Sequence, residues 1–404
     1  MQIIVIGGGA AGFFAAINAA NLHPQADVTI IEKTNKLLSK VLVSGGGRCN
    51  VTYACFENNV LVKNYPRGEK ELRSAFAKFT TTDTINWFKD YGIALKTEAD
   101  GRIFPASDNS ETIANCLLQA AHNLNVKIKT GVLIREIIIN ADETFLLKTE
   151  TDYILQCDKL IIATGGNPKN EGYNWLRKLG HTIIEPVPSL FTFNISNNEI
   201  TKLMGVSVSH VKIKIQSAKL QTEGPLLITH WGLSGPAILK ASAWGARILH
   251  DKKYDFEVQV NWLPNFKEED LRQELLFIKE SLVNKQIQNT NPFELPKRLW
   301  DFLAGKAEIN MNTRWADVSK KQINQLISVL VNDTYQVKGK TTFKEEFVTC
   351  GGISLKEVDF STMQSKIIPN LFFAGEVLDI DGITGGFNFQ NAWTTGWIAS
   401  NNLT

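Results

Sequence analysis

Hydrophobic and polar positions along the chain form short continuous apolar runs near both ends and alternating patterns between them. Residues 2–6, QIIVI, are apolar and β-branched, the pattern of a strand covered on both faces in a parallel sheet. Small and apolar residues follow in AAGFFAAINAA, predicting a helix, and VTIIE at 28–32 predicts the next parallel strand. Together they make a βαβ unit. Further helices are expected over 36–43, 82–91 (stopped by Gly92) and 110–124, with Ser110 as a cap of the last. Residues 126–139 and 143–156 are expected as strands around a turn at 140–142, and KLIIA at 159–163 as another buried strand.

The pattern changes near Pro186 and Pro188. Residues 190–195 and 206–216 alternate, with His210 interrupting the second run. A helix over 234–249, a strand over 254–260 and helices over 267–283, 293–303 and 319–331 are expected next. Continuous apolar runs of the parallel-sheet kind return at 347–353 and in NLFFAG at 370–375. The domains are therefore read as 1–189 with 346–404, interrupted by an inserted domain at 190–345.

Glycine placement sharpens this division. Fifteen of the 29 glycines fall in five places: 7–12, 45–47, 165–166, 351–352 and 375–386. Residues 190–345 hold seven. Such clustering marks places where the backbone turns left-handed or approaches a ligand.

The first cluster has the spacing G-x-G-x-x-G at Gly7, Gly9 and Gly12, between the first strand and its helix. Glu32 ends the second strand. Gly7 serves the tight turn, Gly9 admits a pyrophosphate, and Gly12 lets helix and strand pack. The N–H groups of Ala10 and Ala11 open the helix toward the phosphates. Glu32 can accept two hydrogen bonds from a ribose diol. The spacing predicts a bound dinucleotide.

Leu371–Glu376 is an apolar strand ending in Gly375-Glu376, and Gly382–Asn388 precedes a predicted helix. The helix start at Gly385, Gly386, Phe387 and Asn388 would favour negative charge on a ligand. Ser44-Gly45-Gly46-Gly47-Arg48-Cys49-Asn50 reads either as a loop beside a flat or anionic group, or as a capped helix end with a solvated Arg. Cys49, without a spaced partner, reads as a packed thiol.

Net charge is +2, and no basic stripe stands out, so composition argues against a nucleic-acid partner. Five widely spaced cysteines without a CxxC pair suit a reducing cytoplasm, and the scattered histidines suggest no metal site. Residues 1–26 and 382–404 lack Asp, Glu, Lys and Arg. Their Gly, Asn and Thr content argues against a signal peptide or membrane anchor.

These motifs, with Gly101–Pro105, Ala163-Thr164-Gly165-Gly166 and Thr229–Pro236, make the chain resemble the YhiN/BaiN-like flavoproteins over essentially its whole length. The resemblance implies an α/β fold: a discontinuous glutathione-reductase-like Rossmann domain for FAD, with an inserted mixed β-barrel and helical domain. It implies that Val132 holds adenine through its backbone, that Lys33 lies beside the AMP half, and that Lys40 approaches the pyrophosphate or flavin side. Glu376 would take the ribityl hydroxyls, where Asp is commoner. Trp231 stands where the family often has a small or polar residue.

His230 fits either a proton donor facing the flavin or a histidine fixing the domain junction. Arg102 fits either an anchor for an anionic substrate or a surface ion pair. The expected activity is hydride transfer between a small organic substrate and FAD. NAD(P)H is a transient donor at most, because residues 190–345 contain no second G-x-G-x-x-G. The alternatives are a flavin-dependent RNA-modifying protein and a non-catalytic redox-responsive flavoprotein. Oligomeric state is not readable.

Overall fold

A computed structural model describes residues 1–151, 153–341 and 348–403. The chain divides into two compact units, Met1–Ser189 with Phe343–Thr404, and Leu190–Thr342.

The first unit is built on a seven-stranded sheet. Its strand order is Val358–Asp359, Gln364–Ser365, Leu371–Phe373, Lys159–Ile162, Gln2–Ile6, Asp27–Ile31 and Lys127–Lys129. The last five run parallel, with Ile4 beside Leu160 and Thr29, and Leu160 beside Leu371. Ile3–Ile6 and Leu160–Ile162 are all buried, as the unbroken apolar runs require. The helix Ala10–Leu22 is buried from Ala11 to Ala20. Its small residues admit the equally buried helix Phe387–Ser400, where a Cβ at Gly396 would lie 2.9 Å from the Ala11 carbonyl oxygen. Phe14 packs among Phe79, Trp87 and Trp393 where these helices meet the helix Thr81–Asp90.

Several expectations need correction. The helix Ser110–Asn123 is capped by Asn109, whose side chain accepts the Glu111 N–H, and not by Ser110. The apolar stretch 126–139 is two strands, Lys127–Lys129 and Ile134–Ile139, in different sheets, separated by Gly131 at φ +67°. Val348–Ile353 does not rejoin the parallel sheet. It pairs antiparallel with Ile183–Ser189 in a sheet of two, and residue 347 lies outside the described residues.

The second unit has a sheet in the order Asp333–Lys338, Asp255–Asn261, Ser207–Ile215, Leu220–Thr229, Gly232–Ser234, Thr192–Asn194, Lys340–Thr341. The first and last of these are consecutive in sequence. One segment, Asp333–Thr341, thus supplies both margins of the sheet. Val211, Ile213, Ile228, Val258 and Val260 face a core shared with the helices Glu268–Ser281, Lys297–Lys306 and Lys320–Val331. The interruption at His210 corresponds to a register shift between Val208 and Val211. The helix expected over 234–249 is two helices, Pro236–Trp244 and Ala246–Asp251, divided at Gly245.

Candidate functional site: the glycine cradles of the first unit

The first glycine loop separates two jobs. Gly7 has φ +122°, and a Cβ there would lie 2.2 Å from the Ala163 carbonyl oxygen. A Cβ at Gly12 would lie 1.9 Å from the Gly7 oxygen. These two glycines let strand, loop and helix touch. Gly9 has no protein atom within 4 Å of its Cβ position, so that space is open to a ligand. It is the N-cap of Ala10–Leu22, and no side chain caps that helix. The helix start therefore offers N–H donors to an anion.

Glu32 stands at this loop. Its Oε2 accepts the Gly8 N–H at 2.9 Å, and its Oε1 accepts the Thr34 N–H at 2.9 Å and the Thr34 hydroxyl at 3.0 Å. Three of roughly four acceptor positions are thus taken, leaving about one for a ribose hydroxyl rather than the expected two. Glu32, Gly7, Lys33, Val132, Gly165 and Trp175 are among the residues lining a cavity of about 290 Å³. Lys33 is exposed there. The Val132 N–H donates to the Glu32 carbonyl at 3.0 Å, so that half of its backbone is engaged within the chain. Ala163 follows the strand Lys159–Ile162, its N–H donating to the Ile6 carbonyl, and Thr164 beyond it is exposed.

A second group lies around Glu376. Its Oε2 accepts Lys40 Nζ at 2.7 Å and its Oε1 accepts the Thr349 N–H at 2.8 Å. A Cβ at Gly166 would lie 2.6 Å from Glu376 Oε1 and 2.3 Å from Thr349 Oγ1. Thr349 is fully buried, and its hydroxyl has no hydrogen-bond partner. A Thr in an apolar strand carries no motif, so nothing in the sequence marks it. Gly375, at φ +74°, donates its N–H to Thr395 Oγ1 at 2.8 Å, and a Cβ there would lie 2.8 Å from the Ala11 Cβ.

In the third group, Gly45, Gly46 and Gly47 are consecutively left-handed, with φ +60°, +69° and +83°. Gly46 and Gly47 face open space, whereas a Cβ at Gly45 would meet the Phe104 ring at 2.9 Å. The Ser44 carbonyl accepts the Cys49 N–H at 3.0 Å, closing the loop. Burial pushes the Cys49 thiol up to about 12, so it is a packed neutral group. Asn50 is oriented by its neighbours: its amide nitrogen donates to Thr52 O at 3.0 Å, and its oxygen accepts the Gly386 N–H at 3.0 Å. That bond joins the loop to the start of the C-terminal helix.

At this helix start, Asn388 accepts the Gly382 N–H at 2.8 Å and donates to the Gly382 oxygen at 3.0 Å. A Cβ at Gly385 would meet the Phe387 ring at 3.0 Å, and one at Gly386 would lie 2.6 Å from Thr52 O. The Phe387 ring is buried and stacked on Tyr53 at 4.9 Å, so its side chain belongs to the core. Beside this turn, the wholly buried Asp381 is paired with Arg67 and accepts the Ser189 hydroxyl at 2.6 Å.

The two residues considered for catalysis, Arg102 and His230, belong to different units. Arg102 pairs with Asp100 at 2.7 Å and Glu98 at 3.1 Å. Arg48 shares Glu98 at 2.6 Å and lies 4.0 Å over the Phe104 ring. Both guanidiniums are committed to acids at the surface. His230 belongs to the second unit. It is exposed in the two-residue link between Leu220–Thr229 and Gly232–Ser234, its ring 3.8 Å from that of Trp231 and tilted at 58° to it. The helix expected from residue 234 begins at Pro236, with Gly235 as its N-cap.

The family model described as the HI0933-like protein Rossmann domain matches residues 1–402. The chain belongs to the HI0933-like Rossmann family. It is similar to the Escherichia coli ribosomal RNA dihydrouridine synthase, 32% identical over 99% of this chain and 97% of the relative. It is also similar to a Clostridium scindens 3-dehydro-bile acid delta(4,6)-reductase, 28% identical over 98% of each chain. Among solved structures, the fold is shared with the 3-ketosteroid-delta4-(5alpha)-dehydrogenase of Rhodococcus jostii. That match has a TM-score of 0.51 and 12% identity, covering 99% of this chain and 97% of the other.

Membership makes this protein an FAD-dependent oxidoreductase, and the first unit fits that cofactor. It has an open helix start at Gly9, a carboxylate and cavity beside it, and an unpartnered buried hydroxyl at Thr349. No helix among the described residues is long and apolar enough to cross a membrane. Nor do the described residues contain a group of three metal-binding side chains.

Proposed function

We propose that this flavoprotein reduces a carbon–carbon double bond conjugated to a carbonyl group. The observation that carries the reading is the bond type shared by its relatives' names. Making dihydrouridine saturates a uracil double bond beside a carbonyl, and a delta(4,6)-reductase acts on double bonds conjugated to the 3-oxo group of its bile acid. When bound and reduced, FAD would supply the hydride in such chemistry. In this reading the Gly9–Ala11 helix start receives the pyrophosphate and Glu32 the adenosine ribose. Lys40, Glu376 and Thr349 hold the ribityl and phosphate region, and the Gly385–Asn388 turn faces the flavin.

Electrons arrive from NAD(P)H bound transiently, a reading supported by the single dinucleotide motif of the chain. The insertion acts as a barrel-like module, supported by one continuous segment supplying both margins of its sheet. A cytoplasmic setting is supported by five free cysteines.

Two acceptors fit the reaction. A small enone agrees with the near-neutral chain. A uracil base in ribosomal RNA is favoured by the two synthases among the relatives, and by 20 Lys and Arg against 15 Asp and Glu in Leu190–Thr342. Protein reduced anaerobically is incubated with a conjugated steroid enone, and separately with ribosomal RNA from E. coli cells lacking the relative named above. The reading predicts a gain of about two mass units, from one added hydride and one proton, in the ring of one acceptor. A small-molecule product selects the first acceptor and dihydrouridine the second. No gain in either, with fully reduced flavin present, contradicts the reading.

A further inference from the structure

Residues Asn64–Gly68 grip the turn before the C-terminal helix at four points. The Ile383 N–H donates to the Asn64 carbonyl at 2.9 Å, and the Tyr65 hydroxyl donates to the Phe387 carbonyl at 2.7 Å. Arg67 binds the Asp381 carboxylate through both Nε and a terminal nitrogen. A Cβ at Gly68 would lie 2.7 Å from the Ile380 side chain. Asp381 is completely buried and Arg67 is 15% exposed. Burial alone would favour a neutral guanidine, but the Asp381 carboxylate outweighs it and holds Arg67 above its ordinary value.

A buried ion pair is weak evidence for stability, since an apolar pair of similar volume often serves as well. What a bidentate fork adds is geometry: it fixes the plane and position of the carboxylate. Here that carboxylate lies immediately before Gly382, Gly385 and Gly386. The latter two, at φ +130° and +94°, are positions other side chains rarely adopt. A glycine turn has little stiffness of its own. The strap supplies it from outside.

We infer that Arg67 is a positioning residue. Through Asp381 it sets the Gly382–Asn388 turn, and so the aim of the helix-start N–H groups toward the flavin of the bound cofactor. The inference rests on the cofactor and not on the identity of the acceptor. Two readouts test it, the FAD dissociation constant and the midpoint potential of the bound flavin. Both are measured on the wild type, on Arg67→Lys and on the double variant Arg67→Met/Asp381→Asn.

Lys keeps the charge and loses the fork, so an effect of charge alone would leave Arg67→Lys like the wild type. The neutral pair leaves no uncompensated buried charge and keeps the protein folded if Arg67→Lys does not fold. Positioning predicts that every folded variant binds FAD at least tenfold more weakly. It also predicts a further tenfold loss for the reduced form, seen as a midpoint potential about 30 mV more negative. Folded variants with wild-type FAD affinity and potential overturn the inference, as does a wild-type potential in Arg67→Lys together with a shifted one in the neutral pair.

Discussion

Gly9 and Gly12 lie three positions apart and answer to different constraints. A methyl group at Gly12 would sit 1.9 Å from the Gly7 oxygen, inside the contact of helix and strand, whereas one at Gly9 meets nothing within 4 Å. Gly9 also has φ −97° and ψ −171°, which any residue adopts. Gly9→Ala should therefore leave stability within about 0.5 kcal/mol of wild type. The same change should weaken FAD binding at least tenfold, about 1.4 kcal/mol. Gly12→Ala should instead lower stability by about 1–3 kcal/mol, through overpacking. Urea unfolding of the apoproteins and an FAD titration separate the two effects. Glu32 was legible at this scale because its spacing from the glycines is fixed by one βαβ unit. Thr349 and Arg67 were not, since their partners Glu376 and Asp381 are 27 and 314 positions away.

Among the elements, those with local signals were readable and those defined by distant pairing were not. The strand Leu220–Thr229 contains Gly224-Pro225, a dipeptide that punctuates most sequences as a turn. Its neighbour Ser207–Ile215 shifts register between Val208 and Val211, opposite Leu226 and Gly224, so the proline faces the irregular stretch and costs no ladder bond.

A similar long-range tie holds the short edge strands Val358–Asp359 and Gln364–Ser365 of the parallel sheet. The Ser365 hydroxyl oxygen accepts the Ile367 and Ile368 N–H groups, each at 3.0 Å, so its own proton points to His181 Nε2 at 3.1 Å. His181 Nδ1 then donates to Glu357 at 3.1 Å, which makes the imidazole neutral. Burial lowers the His181 value below the ordinary 6.5, against the pull of Glu357. Well above pH 6.5 neither folded nor unfolded chain carries a proton there. Below it, the unfolded chain takes up the proton first, so this contribution to stability is lost as pH falls. Urea unfolding between pH 7.5 and 5 should show that decline. His181→Asn should be less stable at pH 7.5 and decline less over this interval.

For the whole molecule, the uneven spread of glycine marks a division of labour. Four of the five glycine places meet in the first unit, through Gly7 and Ala163, Gly166 and Glu376, Gly386 and Asn50, and Gly375 and Ala11. The fifth, Gly351-Gly352, belongs to the same unit but serves strand packing: Cβ atoms there would lie 2.4 Å from the Glu185 and Val377 carbonyl oxygens. The glycine-poor stretch largely coincides with the unit Leu190–Thr342. How its sheet pairs was beyond the reach of local pattern, because Asp333–Thr341 must find both Asp255–Asn261 and Thr192–Asn194.

The central claim is that four glycine places of the first unit form one FAD cradle. An absorbance titration of the apoprotein with FAD tests it most directly. The account predicts a yellow protein that saturates at one FAD per chain, and a weakened curve for Gly9→Ala. A folded protein that stays colourless, or a Gly9→Ala variant that binds FAD as the wild type does, would contradict it.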